Sequence, residues 1–443
     1  MKHFFLLFIA SVSFLSVPTS TRAQSPGAIG AGKSSGMSVS GSRPRMRDYG
    51  IRTGVMQPGP LNAITDVKGV FVGHVTLVEG DSIRTGVTAI IPHPGNVFRE
   101  KVPAAFWAGN GFGKLAGSTQ IKELGNIETP VILTNTLSVS AGIEGLVTYT
   151  LEQPGNGDVQ SVNAVVGETN DGELNDIRGR HIKSAHVLDA LKNAVLGPVA
   201  EGNVGAGTGT VCFGFKGGIG TASRVLPQSL GGYTVGVLVQ TNFGGVLQIA
   251  GVNVGERLGR YSYKNQIEEQ TRGKKSGKNA AEQKAPGRQG HSAGENQATL
   301  QDTDNTPAPE PDGSCMIVII TDAPVNERTL ERIAKRGMMG LARTGGIASN
   351  GSGDYVLALS VAPGNLIREY ASATGPYSPT YTPTYLHNNE CSALFMAAME
   401  AVEEAILNSL FAAQTMTGKD GRTVEALPVE KVIKLFPLIT DVE

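Results

Sequence analysis

A glycine–serine junction, Gly313-Ser314, stands where a long polar stretch meets an apolar strand. Residues 264–312 contain almost no large apolar side chains, whereas Ser314 opens a β-branched run, 314–320, that predicts a buried strand. If the bond before Ser314 is cut, a hydroxyl and a free α-amine share one residue. A terminal amine then replaces histidine as the base that activates the nucleophile. The alternative is a surface linker entering a strand whose first residue happens to be serine.

Other polar groups stand at the ends of predicted strands. Ser352 and Asp354 are two residues apart at the mouth of the predicted strand 355–361, so both side chains point to one face and could orient a neighbouring ammonium. Asn242 follows the predicted strand 233–240 beside glycines, and its amide could donate to an oxyanion. Each group also fits ordinary turn chemistry, in which Asp or Asn caps a backbone amide.

The loop after the predicted strand 162–166 is unusually acidic and begins at Glu168. It runs to Asp176 without an apolar stripe. A solvated turn is the ordinary interpretation. The functional one is a carboxylate that binds the cationic amine of a substrate.

Several patterns resemble known motifs without their structural context. The G-x-S-x-G pattern at 290–294 lies in the polar stretch, not on a strand–turn–helix. The glycine-rich segments 205–209 and 109–113 lack the flanks of a phosphate loop and are predicted to be turns or substrate-approach loops. Asp302 and Asp304 lack the glycine and closing glutamate of a calcium loop. The seven histidines are scattered, so the sequence predicts no metal site.

The first residues predict export. One basic residue, an apolar run over 4–17 and small residues before position 24 are typical of a secretory signal over residues 1–23. The run is short for an uncleaved membrane anchor, so we expect a periplasmic or secreted protein. Residues 24–47 are rich in Gly and Ser and predict a flexible arm. The formal net charge of −1 gives no reason to expect a nucleic acid or a membrane surface as partner.

Apolar β-rich runs and helical patterns mix without strict alternation, which predicts a layered α/β or α+β sandwich. The three cysteines lie in apolar segments and are expected to be buried free thiols. Strands are predicted at 70–72, 87–91, 131–134, 162–166, 211–215, 233–240, 316–321 and 355–361, and helices at 138–152, 184–195, 326–343 and 389–411.

In their joint order, the segments resemble the L-aminopeptidase/D-esterase and β-peptidyl aminopeptidase family of self-processing N-terminal-nucleophile hydrolases. The resemblance spans residues 59–436, essentially the whole folded part. The matching segments are 59–67, 133–136, 166–169, 213–224, 239–242, 312–314 and 350–354.

This resemblance implies a four-layer αββα sandwich with a single hydrolase domain over 48–443. Residues 264–312 would be a disordered insertion, and cleavage between Gly313 and Ser314 would leave two associated subunits. The implied roles are nucleophile for Ser314, oxyanion donor for Asn242, positioning of the catalytic amine for Ser352 and Asp354, and substrate binding for Glu168, Asn170 and Asn135.

The implied activity is removal of an N-terminal residue from small peptides, amides or esters with a free amino group, and the choice among L-, D- and β-residues stays open. An acyl-enzyme forms on Ser314, and no cofactor or metal is needed. We expect processed heterodimers to assemble into a homo-oligomer, with no membrane partner after signal removal. One alternative is acyl transfer of the ornithine acetyltransferase kind, which is expected to use threonine. The other is a non-catalytic periplasmic binding protein of the same fold.

Overall fold

Two β-sheets lie face to face at the centre of the protein and carry helices on their outer faces. The computed structural model describes residues 43–270, 313–368 and 378–436, and residues Ser42–Glu443 form one compact unit. In the first sheet the strands are β1 (Phe71–Glu79), β2 (Ile83–Ile91), β4 (Leu115–Ala116), β6 (Val131–Asn135) and β7 (Val165–Thr169), in the order β1-β2-β6-β7-β4.

The second sheet holds the strand that begins at Ser314. Its strands are β3 (Val102–Gly111), β5 (Asn126–Ile127), β10 (Gly218–Val225), β11 (Thr234–Asn242), β14 (Ser314–Thr321) and β15 (Gly353–Ser360), in the order β10-β11-β14-β15-β3-β5. Strand β14 is antiparallel to β11 and parallel to β15. The small two-stranded pairs are β8 (Val211–Cys212) with β9 (Phe215–Lys216), β12 (Gln248–Ile249) with β13 (Val252–Asn253), and β16 (Met416–Thr417) with β17 (Thr423–Val424).

Helices cover both outer faces. The helices are α1 (Ser118–Leu124), α2 (Val139–Leu151), α3 (Ser184–Lys192), α4 (Val254–Arg257), α5 (Glu327–Arg343), α6 (Ser392–Ala412) and α7 (Val429–Ile433). Helices α2 and α3 pack on the first sheet, and α5 and α6 pack on the second. Apolar clusters fill the space between the sheets and beneath each helical layer, which confirms the predicted αββα sandwich.

Local sequence explains the helical layers. In α5 the apolar positions recur at helical spacing and are buried, and the Asn326 side chain caps the helix by accepting from the Thr329 amide at 3.0 Å. Helix α6 is buried over most of its length, and it packs against β10 and β11 of the second sheet and against α5. No helix in the described part of the chain has both the length and the apolar composition to cross a membrane.

Buried charges attach the first described residues to α6. Arg224 is fully buried, and its guanidinium donates to Glu400 at 3.1 Å and to Glu404 at 2.7 Å. Arg47 and the Asn62 amide also donate to Glu404. Although burial opposes ionisation, the Arg47 hydrogen bond and the two guanidinium charges hold the pKa of Glu404 below its usual range.

The prediction of a flexible arm over residues 24–47 was wrong for its last five residues, 43–47. Met46 is completely buried. Arg43 donates to two backbone carbonyls, and Arg45 reaches the buried Glu201 at 2.6 Å. Alternating arginines that find buried acceptors fix this segment, a feature that glycine- and serine-rich composition does not reveal.

The prediction of a disordered insertion over residues 264–312 was wrong at its start, since residues 264–270 are helical. The predicted strand 211–215 is divided between β8 and β9, because Phe213 and Gly214 both take positive φ in the intervening turn. The predicted signal 1–23, arm residues 24–42, the G-x-S-x-G pattern at 290–294, and Asp302 with Asp304 lie outside the described residues.

Glycine at position 220 sets the distance between β10 and α6. A Cβ there would lie 2.0 Å from the Ala405 carbonyl oxygen. We predict that Gly220→Ala lowers the unfolding midpoint, with a loss of about 1–3 kcal/mol from overpacking. Gly157→Ala is the matched control, since a Cβ there meets nothing within 4 Å. Thermal unfolding of the two variants makes the comparison, and equal midpoints would contradict the close approach.

Candidate active site

Strand pairing places Ser314 between the predicted site residue Asn242 and Gly353, which is flanked by the predicted site residues Ser352 and Asp354. It opens β14, is only 6% exposed, and lies opposite Asn242 in β11 and Gly353 in β15. Its side chain shares a face with Met316, which packs between the two sheets. The hydroxyl therefore lies at the end of the space between the sheets.

The peptide bond before Ser314 is tightly held. The Gly353 amide donates both to the Gly313 carbonyl oxygen at 3.1 Å and to Ser314 Oγ at 3.2 Å. A Cβ on residue 313 would lie 2.0 Å from the Asn242 carbonyl oxygen. Only glycine fits before the serine, and the carbonyl beside the hydroxyl already has a backbone donor.

Asn242 is oriented by the backbone amide of the first residue of β8. Its Oδ1 accepts from the Val211 amide at 2.9 Å. This bond commits the oxygen end of the side chain and leaves Nδ2 as the donor end. Because residues paired across neighbouring strands point to the same face, Asn242 and Ser314 project together. An amide donor beside a hydroxyl can stabilise a developing oxyanion.

Ser352 and Asp354 flank Gly353, the residue paired with Ser314. Both are 1% exposed, and neither the Ser352 hydroxyl nor either Asp354 carboxylate oxygen has a hydrogen-bond partner of normal geometry within the described chain. Burial raises the pKa of Asp354 to about 6, an effect that the nearby Ser352 hydroxyl and Cys315 amide partly oppose. Buried polar groups without partners are rare, and these two flank the residue that pairs with Ser314.

Glu168 approaches from the other sheet. It is 2% exposed in β7, and its Oε1 accepts from the Lys114 amide at 2.9 Å while Thr136 donates to Oε2. A Cβ on Gly113 would lie 3.3 Å from Oε1 and 3.1 Å from the Gly353 Cα. Gly113 therefore lies between the Glu168 carboxylate and Gly353, the residue that pairs with Ser314. The Lys114 ammonium forms an ion pair with Oε1 at 3.6 Å, and each carboxylate oxygen keeps acceptor capacity for a substrate ammonium.

The two predicted substrate-binding asparagines lie at different depths. Asn135 is buried, accepts from the Leu137 amide at 3.2 Å and donates to Thr85 Oγ1 at 2.8 Å. Asn170 is exposed, and its Oδ1 accepts from the Gly172 amide at 2.9 Å within its own loop. Their contact with substrate stays a prediction.

Sequence reasoning missed several residues around Glu168. The Tyr355 hydroxyl donates to the carbonyls of Gly111 and Gly113 at 3.1 and 3.0 Å and fixes that glycine-rich turn. Burial raises the pKa of Tyr355, and the charges of Glu168 and Asp354 add to the shift. Thr136 lay inside a recognised segment, but no pattern indicated its contact with Glu168. In the described residues no cluster of three or more His, Cys, Asp or Glu side chains could hold a metal ion.

The unpartnered Asp354 makes a testable contribution to stability. In an uncut Ser314→Ala chain its folded pKa, about 6, lies above the ordinary value of 3.8, so its contribution is present at low pH and is lost as pH rises from about 4 to 6. We predict that adding Asp354→Asn raises the free energy of unfolding at pH 7 by on the order of 2 kcal/mol and changes it little at pH 4. Urea unfolding of Ser314→Ala with and without Asp354→Asn measures this. An equal difference at both pH values would contradict it.

Comparison with known proteins shows which family the chain belongs to. Residues 62–424 match the model of peptidase family S58. The β-peptidyl aminopeptidase BapA of Sphingosinicella microcystinivorans is 41% identical over 401 residues, which is 88% of this chain and 91% of that protein. A match to a peptidase family and to an aminopeptidase supports neither of the two alternatives, an acetyltransferase or a non-catalytic binding protein.

Solved structures agree in fold. A β-aminopeptidase from a Burkholderia species is similar with a TM-score of 0.73 at 40% identity, covering 88% of this chain and 98% of that one. The L-aminopeptidase D-Ala-esterase/amidase from Ochrobactrum anthropi, described as a prototype for the serine aminopeptidases and a variant of the Ntn hydrolase fold, has a TM-score of 0.71 at 32% identity, covering 88% and 97%. The chain therefore belongs to peptidase family S58 and is a serine aminopeptidase of the N-terminal-nucleophile type.

Proposed function

We propose that this aminopeptidase is synthesised as a precursor that cuts itself between Gly313 and Ser314, and that the new α-amine of Ser314 is its catalytic base. The proposal rests on two buried groups, Ser352 and Asp354, whose side-chain oxygens have no hydrogen-bond partner of normal geometry among the described residues and which flank Gly353, the residue paired with Ser314. A free ammonium there would give both groups a charged donor. In the cut chain, this ammonium would donate hydrogen bonds to side-chain oxygens that have no such partner among the described residues of the uncut chain.

Maturation proceeds by an N-to-O acyl shift. Ser314 Oγ attacks the Gly313 carbonyl carbon, the C–N bond breaks, and the hydroxyl proton passes to the departing nitrogen. Water then hydrolyses the ester, which leaves a carboxylate on Gly313 and a free Ser314. During the attack, charge develops on the Gly313 oxygen, which already accepts from the Gly353 amide at 3.1 Å.

In the mature enzyme, the neutral α-amine accepts the proton of its own hydroxyl as Oγ attacks the substrate carbonyl. Reference α-amines have a pKa of about 7.7–8.0, so a large neutral fraction exists at mildly alkaline pH. Asn242 donates to the tetrahedral oxyanion, an interaction typically worth about 3 kcal/mol. The protonated amine returns its proton to the leaving amine, and water hydrolyses the acyl-enzyme.

Glu168 selects substrates with a free amino group. Its carboxylate is buried and anchored by the Lys114 amide and by Thr136, so it is fixed before substrate arrives. An ammonium one or two carbons from the scissile carbonyl would reach it across Gly113. Given the β-peptide activity named for the BapA relative, we propose small peptides and amides with an N-terminal β-residue as the substrate class.

Location and assembly are part of the proposal. The signal-like composition of residues 1–23 supports export to the periplasm or medium. By resemblance to the family, processed heterodimers assemble into a homo-oligomer, with the small substrate as ligand and no nucleic acid or membrane partner.

Self-cleavage predicts the behaviour of two variants. Ser314→Ala should yield one uncut chain without amidase activity, because the attacking oxygen is gone. Gly313→Ala should slow cleavage strongly, because its Cβ would lie 2.0 Å from the Asn242 carbonyl oxygen. Gly364→Ala, where a Cβ meets nothing within 4 Å, should be cut normally. Denaturing electrophoresis after expression measures all three. Two chains from Ser314→Ala would exclude Ser314 as the cleaving nucleophile.

Removing the charge of Glu168 should slow the hydrolysis of substrates that carry a free amino group. We predict that Glu168→Gln lowers kcat/KM for a β-alanyl anilide by about 10- to 100-fold, the range for loss of a charge-assisted hydrogen bond. Glu144→Gln, an exposed carboxylate on α2, should change nothing. Steady-state kinetics on the processed enzymes makes the comparison. Unchanged kinetics in Glu168→Gln would remove this residue from the substrate site.

A further inference from the structure

Lys216 is a fully buried cation that the mechanism above does not use. It lies in β9 with no exposed surface, and its ammonium donates to the carbonyls of Gly207, Thr210 and Gly217 at 3.0, 2.9 and 2.8 Å. These bonds satisfy all three donors of the ammonium. Among the described residues, no carboxylate lies within ion-pair distance of Nζ. Burial lowers the pKa of Lys216 and the charge of Asp171 opposes the shift, while the three carbonyl acceptors hold the protonated form, which alone has three N–H donors.

A continuous hydrogen-bond chain joins this ammonium to Asn242. Lys216 Nζ is 2.9 Å from the Thr210 oxygen, and the N–H of the same peptide unit, that of Val211, is 2.9 Å from Asn242 Oδ1. Beyond Oδ1, the conjugated amide ends in Nδ2, the donor end of the side chain. Successive hydrogen bonds of this kind polarise one another in a buried environment.

We propose that Lys216 is a positioning residue for hydrolysis, which holds and polarises the 210–211 peptide so that Asn242 Nδ2 donates more strongly to the oxyanion. The inference rests on the proposed role of Asn242. The positive charge withdraws electron density from the peptide carbonyl, which makes the Val211 N–H a better donor. That bond in turn makes Nδ2 a better donor. The effect grows as negative charge develops in the transition state, so it belongs to kcat and not to substrate binding.

A solely structural lysine is the competing explanation. Burying a cation without a carboxylate partner costs desolvation free energy that no ion pair offsets, so a neutral side chain would close the loop at a lower free-energy cost. The loop also has a second closure that needs no charge, since the Gly217 amide donates to the Thr210 oxygen at 3.0 Å. Replacing Lys216 therefore removes the charge while one bond to the same carbonyl is kept.

The experiment compares Lys216→Met and Lys216→Gln with the unaltered enzyme, using β-alanine p-nitroanilide as substrate. For each processed variant, we expect kcat to fall by about 10-fold with KM changed by less than about 2-fold. Binding of 2-aminoethylboronic acid, which forms a tetrahedral adduct on serine, should weaken by the same factor. Binding of 3-aminopropan-1-ol, which forms no adduct, should be unchanged. Equal weakening of both ligands, or wild-type kcat, would overturn the proposal.

A double-mutant cycle separates this inference from the function it rests on. Combined with Asn242→Ala, Lys216→Met should reduce kcat by less than about 2-fold, because its effect passes through the missing amide. The same 10-fold loss in both backgrounds would overturn only the role of Lys216. Wild-type kcat in Asn242→Ala alone would instead overturn the proposed oxyanion donor. If Lys216→Met or Asn242→Ala is not processed, the boronic acid and alcohol affinities of Lys216→Gln decide the matter.

Discussion

The position of Ser314 between Asn242 and Gly353 is the constraint on which the site depends. Register in a sheet is a single choice, because a shift by one residue moves every side chain to the other face. The apolar residues of β14 fix that choice by packing alternately between the sheets and against the helices. Once the core sets the register, it also fixes the relative positions of the Ser314 hydroxyl, the Asn242 side-chain amide and the Gly353 backbone N–H.

Around this pairing, the site combines anchored groups with unpartnered ones. Asn242 and Glu168 are each held by a backbone amide, so they are oriented before any substrate binds. Ser352 and Asp354 are buried, and their side-chain oxygens have no hydrogen-bond partner of normal geometry among the residues that the structure describes. In the proposed mechanism, preorganised donors act on the reacting carbonyl, and Ser352 and Asp354 receive the charge of the α-amine that cleavage would create.

Sequence patterns predicted the elements whose cores are strongly apolar. Strand β14 and helix α6 followed from runs of aliphatic residues, and the polar residues at strand ends indicated most of the site. Strand β10 was missed because its glycines, including Gly220, permit close approach of α6, whereas glycine ordinarily disfavours strands. Lys216 was missed because lysine normally indicates a solvated surface, and its carbonyl cage depends on tertiary contacts.

One residue can supply both nucleophile and base only if the chain is cut before Ser314. The intact mass of the purified wild-type protein, combined with amino-terminal sequencing, decides whether this cut occurs. Self-cleavage would give two polypeptides that remain together under native conditions, the shorter one beginning Ser314-Cys315-Met316. An active enzyme that consists solely of one uncut chain would contradict it.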